Sequence, residues 1–405
     1  MLDFLNQNLY GLAGLGAVGY VVVTVLWIHV TLIGITLYFH RDQAHRSIDL
    51  HPALRHFFRL WLWLNTGAPT KEWVAVHRKH HALCERDGDP HSPVIFGLKK
   101  VVLEGAELYI DEARNRETQE KYGKGTPDDW LERNVYAKYP NFGIAILVLL
   151  DLVLFGVPGI IMIALQLGSM PFLAAGIING VAHAKGYRNF ETNDASTNLW
   201  RKAVLIAGEE LHNNHHAFPT SARFSMRPGE VDLGWLYLQV FAALGLARIR
   251  RVAPEPKLAR DPRDTGAVDL DALRAVLVNR MHVLRHYLNN VTLPVLYRES
   301  REARSVTADG VTAEAAHRWL TWQPHMLDET AREKLAELMD RLPKFRMALE
   351  FRNELKQLWE GAHHSNERLL EEFRAWCARA EASGNEYLRE FAAYLRSFQP
   401  EPAAT

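Results

Sequence analysis

From Leu9 to Phe39 the chain carries no charged residue in 31 positions. As helix, that run is about 46 Å long against a hydrocarbon core of about 30 Å, so one tilted crossing fits easily and two barely do. A second apolar stretch, Phe142 to Ala182, holds a single charge, Asp151, in 41 positions and is interrupted by Gly156-Val157-Pro158-Gly159. It reads as a helical hairpin crossing twice, which makes three or four crossings in all. Between them, Leu54 to Gly67 is apolar and tryptophan-rich but only 14 residues long, with Arg55 and Arg59 near its start. Such a segment is expected to lie at the interface rather than to span. After about Arg250 the pattern changes: a proline-rich junction, Val252 to Pro256, leads into Leu270–Leu288 and Asp328–Trp359, where apolar residues recur every three to four positions. Those are amphipathic helices. The expected fold class is all-α, an integral membrane helical bundle with a helical cap over residues 1–250, followed by a soluble helical extension over 251–405.

Charge orients the bundle without suggesting a polyanionic partner. The connection from His40 to Asn141 contains 16 Lys and Arg while the hairpin turn contains none, so the positive-inside rule puts the long connection in the cytoplasm. The whole chain balances 47 basic against 47 acidic residues, and no global field favours nucleic acid. No cleavable secretory signal is evident, because a basic n-region is missing and the apolar run is too long. Cys84 and Cys377 are far apart in sequence and suggest neither a disulfide framework nor a thiolate metal site.

Histidine changes the picture. Of 19 histidines, 13 precede residue 217, and eight of these form three tight clusters: His40 and His45; His77, His80 and His81; His212, His215 and His216. Positions i, i+3 and i+4 share one face of a helix, so the second and third clusters can each aim three imidazoles one way. The i, i+5 pair of the first cluster diverges by about 140° on a regular helix. It therefore requires a helix end or kink between the two residues, or service to two different metals. Eight imidazoles exceed the four ligands at which a structural zinc site closes, which implies two metals. Ligand type alone does not choose among iron, copper, zinc and nickel. His29, His51, His56 and His91 read as ordinary surface or satisfied core residues, and His363-His364, in an exposed-looking turn, as a non-ligand pair.

On these residues the chain resembles the membrane acyl-CoA desaturases. Gly34-Ile35-Thr36 followed by His40 to Arg46 matches the family's first box. Trp73, His77 to His81 and Asp89-Pro90-His91 match the second, and Gly208-Glu209-Glu210-Leu211 with His212 to Pro219 the third. Asn179 to His183 and Gly186-Tyr187-Arg188 match a further family motif. The resemblance spans about residues 30 to 250, and it implies His183 as a ninth histidine ligand and Asn179 as a residue reaching one metal through water. It also implies two ferrous ions, O2 as co-substrate, and removal of two hydrogens with two externally supplied electrons, leaving a cis double bond and water. Two departures stand out. Ala175-Gly176 replaces a Thr-Trp pair of animal members, which would shift the double bond if those positions line the acyl tunnel, and the C-terminal extension has no counterpart in animal members.

Further expectations follow from position in sequence. Asp89, Asp194 and Glu209 are candidates to orient the imidazoles. Trp73, Arg78 and Arg188 are candidate substrate contacts, the two arginines for the phosphates of a CoA thioester, whereas Lys99 and Lys100 read as solvated or lipid-facing cations. The expected substrate is a long-chain acyl-CoA, desaturated at the 9 position, with an acyl-lipid such as a phospholipid as the alternative. No G-x-G-x-x-G fingerprint or cysteine set for a flavin, haem or iron–sulfur centre is present. Electrons must then come from a separate donor, a ferredoxin, a ferredoxin-reductase-like or a cytochrome b5-like protein, and the C-terminal helices are candidates to dock it or a second copy. The expected setting is a bacterial inner membrane, in contact with membrane lipid, with the site facing the cytoplasm. Competing readings are a histidine-rich membrane alkyl hydroxylase and, outside enzymes, a membrane metal transporter or sensor; transporters place ligands near the midplane, whereas these clusters sit at span ends.

Overall fold

The computed structural model describes residues 9–259, 268–302, 313–322, 326–360 and 365–399; His363-His364 fall outside them. The chain divides into two compact units, Met1–Tyr187 with Asp194–Ala253, and Arg188–Asn193 with Pro254–Thr405.

The first unit is helical. Helix α1, Ala17–Gly34, continues without a break as a π-helix over Ile35–Ala44. Val18, Val21, Val25 and Leu26 lie exposed along it, an apolar surface that lipid, not water, would cover. Helix α2, Pro52–Thr66, runs antiparallel along α1. At its start Arg55 donates to Asp42 at 2.8 and 2.9 Å; midway Phe58 and Leu62 close on Gly34; near its end Asn65 accepts the Trp27 indole at 2.7 Å. Helix α3, Thr70–Leu83, returns carrying the second histidine cluster. Helix α4, Leu98–Ala113, follows it.

Helix α5, Pro140–Met170, leads into a second π-helix, Pro171–Gly180, and a 3-10 turn, Val181–His183. Inside it Gly156 adopts φ +62°, ψ −136°, a conformation open to glycine and strained for a residue with a Cβ. There the Leu9–Ala13 segment binds the break: Val157 N–H donates to Leu9, Leu12 N–H to Val153 and Ala13 N–H to Leu154. This end adjoins the start of α1, while His183 meets the histidines at its far end. The two halves therefore run out and back; among the described residues, Ala17–Ala44 and Pro140–His183 are the two stretches long and apolar enough to cross a membrane.

The third cluster sits on the six-residue helix α6, His212–Ala217, and α7 spans Leu233–Ala243. Four short strands tie this region together. β1 (Ile48–Leu50) pairs antiparallel with β4 (Ala247–Ile249), and β2 (Lys202–Ala203) parallel with β3 (Val231–Asp232).

The second unit packs helices around Trp319, Phe345, Trp376 and Phe391. The two amphipathic runs are each broken once: Leu270–Val278 and Arg280–Tyr287 meet at Asn279, and Glu329–Arg341 gives way to Pro343–Glu360 where Pro343 lacks the N–H needed to continue. The division expected at residue 250 omitted one segment, Arg188–Asn193, which belongs here. Its Glu191 pairs with Arg352 and, at 2.8 Å, with Lys356.

Candidate metal centre

The first cluster is explained by its backbone. His45 N–H donates to the carbonyl of His40, five residues back, at 3.0 Å. An i→i+5 ladder brings positions five apart nearly into line, and the two rings stand 5.0 Å apart. The π-helix thus does what the sequence left to a kink or to two metals. His40, His45, His77, His81 and His215 offer ring nitrogens within 4.8 Å of one another. Nε2 of His40 lies 3.0 Å from Nε2 of His215, that of His215 3.0 Å from His81, and that of His45 2.9 Å from His77.

A second pocket lies alongside. His183 Nε2 is 3.0 Å and His216 Nε2 3.1 Å from His212 Nε2, and His80, Cys84, His183 and His216 present donor atoms within 4.8 Å of one another. Clusters two and three each divide their members between the pockets: His77 and His81 go to the first and His80 to the second, His215 to the first and His212 and His216 to the second.

Carboxylates fix the ring orientations. Nδ1 of His40 donates to Glu209 at 2.8 Å, of His80 to Asp89 at 3.0 Å, of His183 to Glu85 at 2.9 Å and of His216 to Asp194 at 3.0 Å. Glu209, Asp89 and Asp194 stand where sequence proximity suggested. Glu85 was missed; it lies next to Cys84 and holds positive φ, +61°, a backbone kink that turns it toward His183 and that no residue pattern announces. Glu209 is delivered by a loop in which Glu210 accepts the N–H groups of Leu205, Ile206 and Gly208. Gly208 is obligatory there: its φ is +102° and a Cβ would come 2.2 Å from an Asp232 oxygen. Helix α6 is held by Asn214, which donates to Phe224 O and Glu230, both at 2.9 Å.

The donor set fits two metal ions. With Nδ1–H engaged by a carboxylate, Nε2 of His40, His183 and His216 is left bare, and each faces another Nε2 at 3.0–3.1 Å. One proton on Nε2 of His212 could serve only one of the two bare nitrogens that face it, so lone pairs converge there unless a cation lies between them. Two nitrogens about 2.1 Å from one ion and about 90° apart stand about 3.0 Å from each other, the spacing seen. Burial, then the neighbouring histidines, hold His45, His77, His81, His212 and His215 well below the ordinary imidazole range. Burial also pulls His216 down to about 4 against the pull of Asp194. Neutral rings are the form that binds metal. His80 goes the other way, because Asp89, Glu85 and Asp194 outweigh burial; a bound cation would take the place of that second proton.

Beside the pockets lies a small cavity of about 70 Å³. Leu32, Ile35, Val76, Ile178 and Ile206 give it apolar walls, and His40, His77, His212 and Asn179 a polar end. Trp73 is part of the wall, stacked between Phe39 and His77 at 5.1 and 4.9 Å. Ala174 lines the cavity, but Ala175 and Gly176 do not: they let α4 approach, a Cβ on Gly105 falling 2.8 Å from the Ala175 Cβ.

Two candidate substrate contacts and one histidine have internal surroundings that sequence did not show. Arg78 is half-buried, and its guanidinium donates to the carbonyls of Ala44, Gln43, Tyr122 and Lys124 at 2.8–2.9 Å, bracing the end of the π-helix. Arg188 is buried, 3% exposed, donating to Thr192 and lying over the Trp322 ring. His91 is neither a surface nor a satisfied core residue; it is buried with both ring nitrogens unpartnered, stacked 4.5 Å from His80. Of the other histidines set aside, His29 pairs with the Tyr237 hydroxyl at 2.9 Å and His51 caps α2. Lys99 and Lys100 are exposed.

The chain is 33% identical over 240 residues to the sn-1 stearoyl-lipid 9-desaturase of Synechocystis sp., covering 56% of this chain and 70% of that protein. It is 34% identical over 244 residues to the enzyme of the same name from Anabaena variabilis, covering 57% and 82%. It is 33% identical over 248 residues to an acyl-CoA 5-desaturase of Anemone leveillei, covering 57% and 73%. Residues 274–402 match a family described as Transposase. That likeness is confined to the helical second unit, which among the described residues holds no cluster of three or more metal-ligating side chains. Residues 15–228, more than half the chain, match the family described as Fatty acid desaturase and include every histidine of both pockets; the protein belongs to the fatty acid desaturase family.

Proposed function

We propose that this chain is an O2-dependent di-iron desaturase that introduces a cis double bond, at the 9 position, into a long-chain acyl-CoA, taking two electrons from a separate donor. The observation that carries the reading is the pair of imidazole pockets whose bare nitrogens converge at the polar end of an apolar cavity. His40, His45, His77, His81 and His215 would hold one iron, and His80, His183, His212 and His216 the other, with Asn179 at the cavity wall. When bound, the irons supply the oxidising power, drawn from O2, that no side chain possesses for removing hydrogen from an unactivated methylene.

The residues do the rest. Glu209, Asp89, Glu85 and Asp194 lock the tautomers and aim Nε2 inward, the usual service of a carboxylate behind a metal-binding histidine. The cavity walls hold the acyl chain beside the pockets and keep water away from it. The excess of Lys and Arg between His40 and Asn141 favours a cytoplasmic site at the bacterial inner membrane.

A second reading, an acyl-lipid substrate, gains from two observations. The arginines expected to meet CoA phosphates are spent on internal carbonyls and on Thr192, and relatives named for lipid-linked and for CoA-linked substrates match about equally. The test is expression in a host lacking unsaturated-acid synthesis, followed by mass analysis of its lipids. A product short by two hydrogens is expected; a product that has gained an oxygen identifies a hydroxylase, and saturated lipids alone defeat the proposal. Feeding the purified enzyme acyl-CoA and acyl-phospholipid in parallel separates the two carriers.

A further inference from the structure

Nine histidines account for the family motifs, but the second pocket contains a donor that none of those motifs includes. Cys84 follows His80 by four residues, capping the end of α3, and its Sγ lies 3.7 Å from His80 Nε2. With the donor nitrogens of His183 and His216 it forms a set within 4.8 Å of one another. A sulfur about 2.3 Å and a nitrogen about 2.1 Å from one ion stand about 3.1 Å apart at 90° and about 3.8 Å apart at 120°, so the sulfur lies within reach of the same ion. That an ion belongs there is shown independently by Nε2 of His183 and His216, left bare by Glu85 and Asp194 and both turned on His212.

We infer that Cys84 is a sulfur ligand to the iron of the second pocket, a role that rests on the di-iron reading above. As the metal–sulfur bond forms, the thiol proton leaves to solvent and the thiolate places a full negative charge on that ion. Among the described residues, the five donors grouped in the first pocket are all imidazoles. The two irons are therefore inequivalent, with the softer, anionic ligand on one side only. Separation in sequence sets both cysteines aside, but a single thiol suffices where histidines supply the other ligands.

The experiment is X-ray absorption at the iron edge on the purified full-length protein, with iron content measured on the same sample. One sulfur neighbour at about 2.3 Å per two irons is expected, disappearing in Cys84→Ser while both irons and the nitrogen neighbours stay. Cys377, the other cysteine, is buried in the second unit and serves as the control, Cys377→Ser leaving the sulfur neighbour in place. Two irons with nitrogen and oxygen neighbours only would overturn the inference and leave the di-iron reading standing, as would a sulfur neighbour that persists in Cys84→Ser. Wild-type protein without iron would defeat both.

Discussion

Replacing Asp89 by Asn isolates what a carboxylate contributes behind a metal-binding ring. Both oxygens of Asp89, 2% exposed, face N–H donors: His80 Nδ1 at 3.0 and 3.2 Å, Glu85 N at 2.7 Å and His91 N at 3.2 Å. An amide in this place keeps one acceptor and sets its NH2 against a donor whichever way it flips. Losing a charge-assisted hydrogen bond costs about 1.5–3 kcal/mol and stranding a buried donor about 1–3 kcal/mol. Asp89→Asn should therefore destabilise the fold by roughly 3–5 kcal/mol, a fall in Tm of roughly 6–20 °C at about 2–4 °C per kcal/mol. Metal affinity should fall about 10–100-fold, as is usual for such partners, and only in the pocket that His80 serves. Under mild chelation the variant drops from two irons to one.

The pH dependence has a definite sign. Burial opposes ionisation of Asp89, but His80 and His91 hold its carboxyl well below the usual range. A depressed carboxyl stabilises above its unfolded pKa, about 3.9, and that contribution is lost as pH falls through the folded value. The gap in Tm between wild type and Asp89→Asn should thus be full at pH 7 and narrow below about pH 4. Two irons retained under chelation, with an unchanged Tm at pH 7, would refute the reasoning.

Other outcomes follow from the same geometry. Arg78→Met strips donors from four carbonyls and should lower stability by about 3–5 kcal/mol while leaving KM for an acyl-CoA unchanged in the folded fraction; a selective rise in KM would restore Arg78 as a phosphate contact. Ala174→Phe fills the cavity and should suppress turnover of long chains more than of short ones, with iron content held at two per chain. Glu72, pushed up to about 7 by burial and then by Glu132, destabilises the fold as pH rises through that value, because the ionised form is the one burial penalises. Glu72→Gln should accordingly raise Tm at pH 8 and have little effect at pH 5, as thermal melts at the two values will show.

Much of this was legible in the chain. The spacing of His77, His80 and His81 and of His212, His215 and His216 forecast two metal faces, and the apolar runs forecast the membrane bundle. What spacing could not forecast was the sharing of each cluster between pockets, since i, i+3 and i+4 rings share a helix face without having to share an ion. The His40–His45 pair needed a π-helix, which depends on how Ile35–Ala44 packs and not on a periodicity of its own. The internal partners of Arg78 and Arg188 were not legible, because a cation in sequence looks free until the oxygens around it are known. Glu85 escaped notice, and Cys84 and His91 were set aside, because each reaches the site through the turn after α3, where chain direction is set by backbone angles that no side-chain pattern reports.

Iron per chain, measured in purified wild type and in one variant from each pocket, tests the central claim most directly. The account predicts two irons in wild type, one in His45→Ala, which empties the five-histidine pocket, and one in His183→Ala, which empties the other. Two irons in either variant, or a wild type that binds only one, would contradict it.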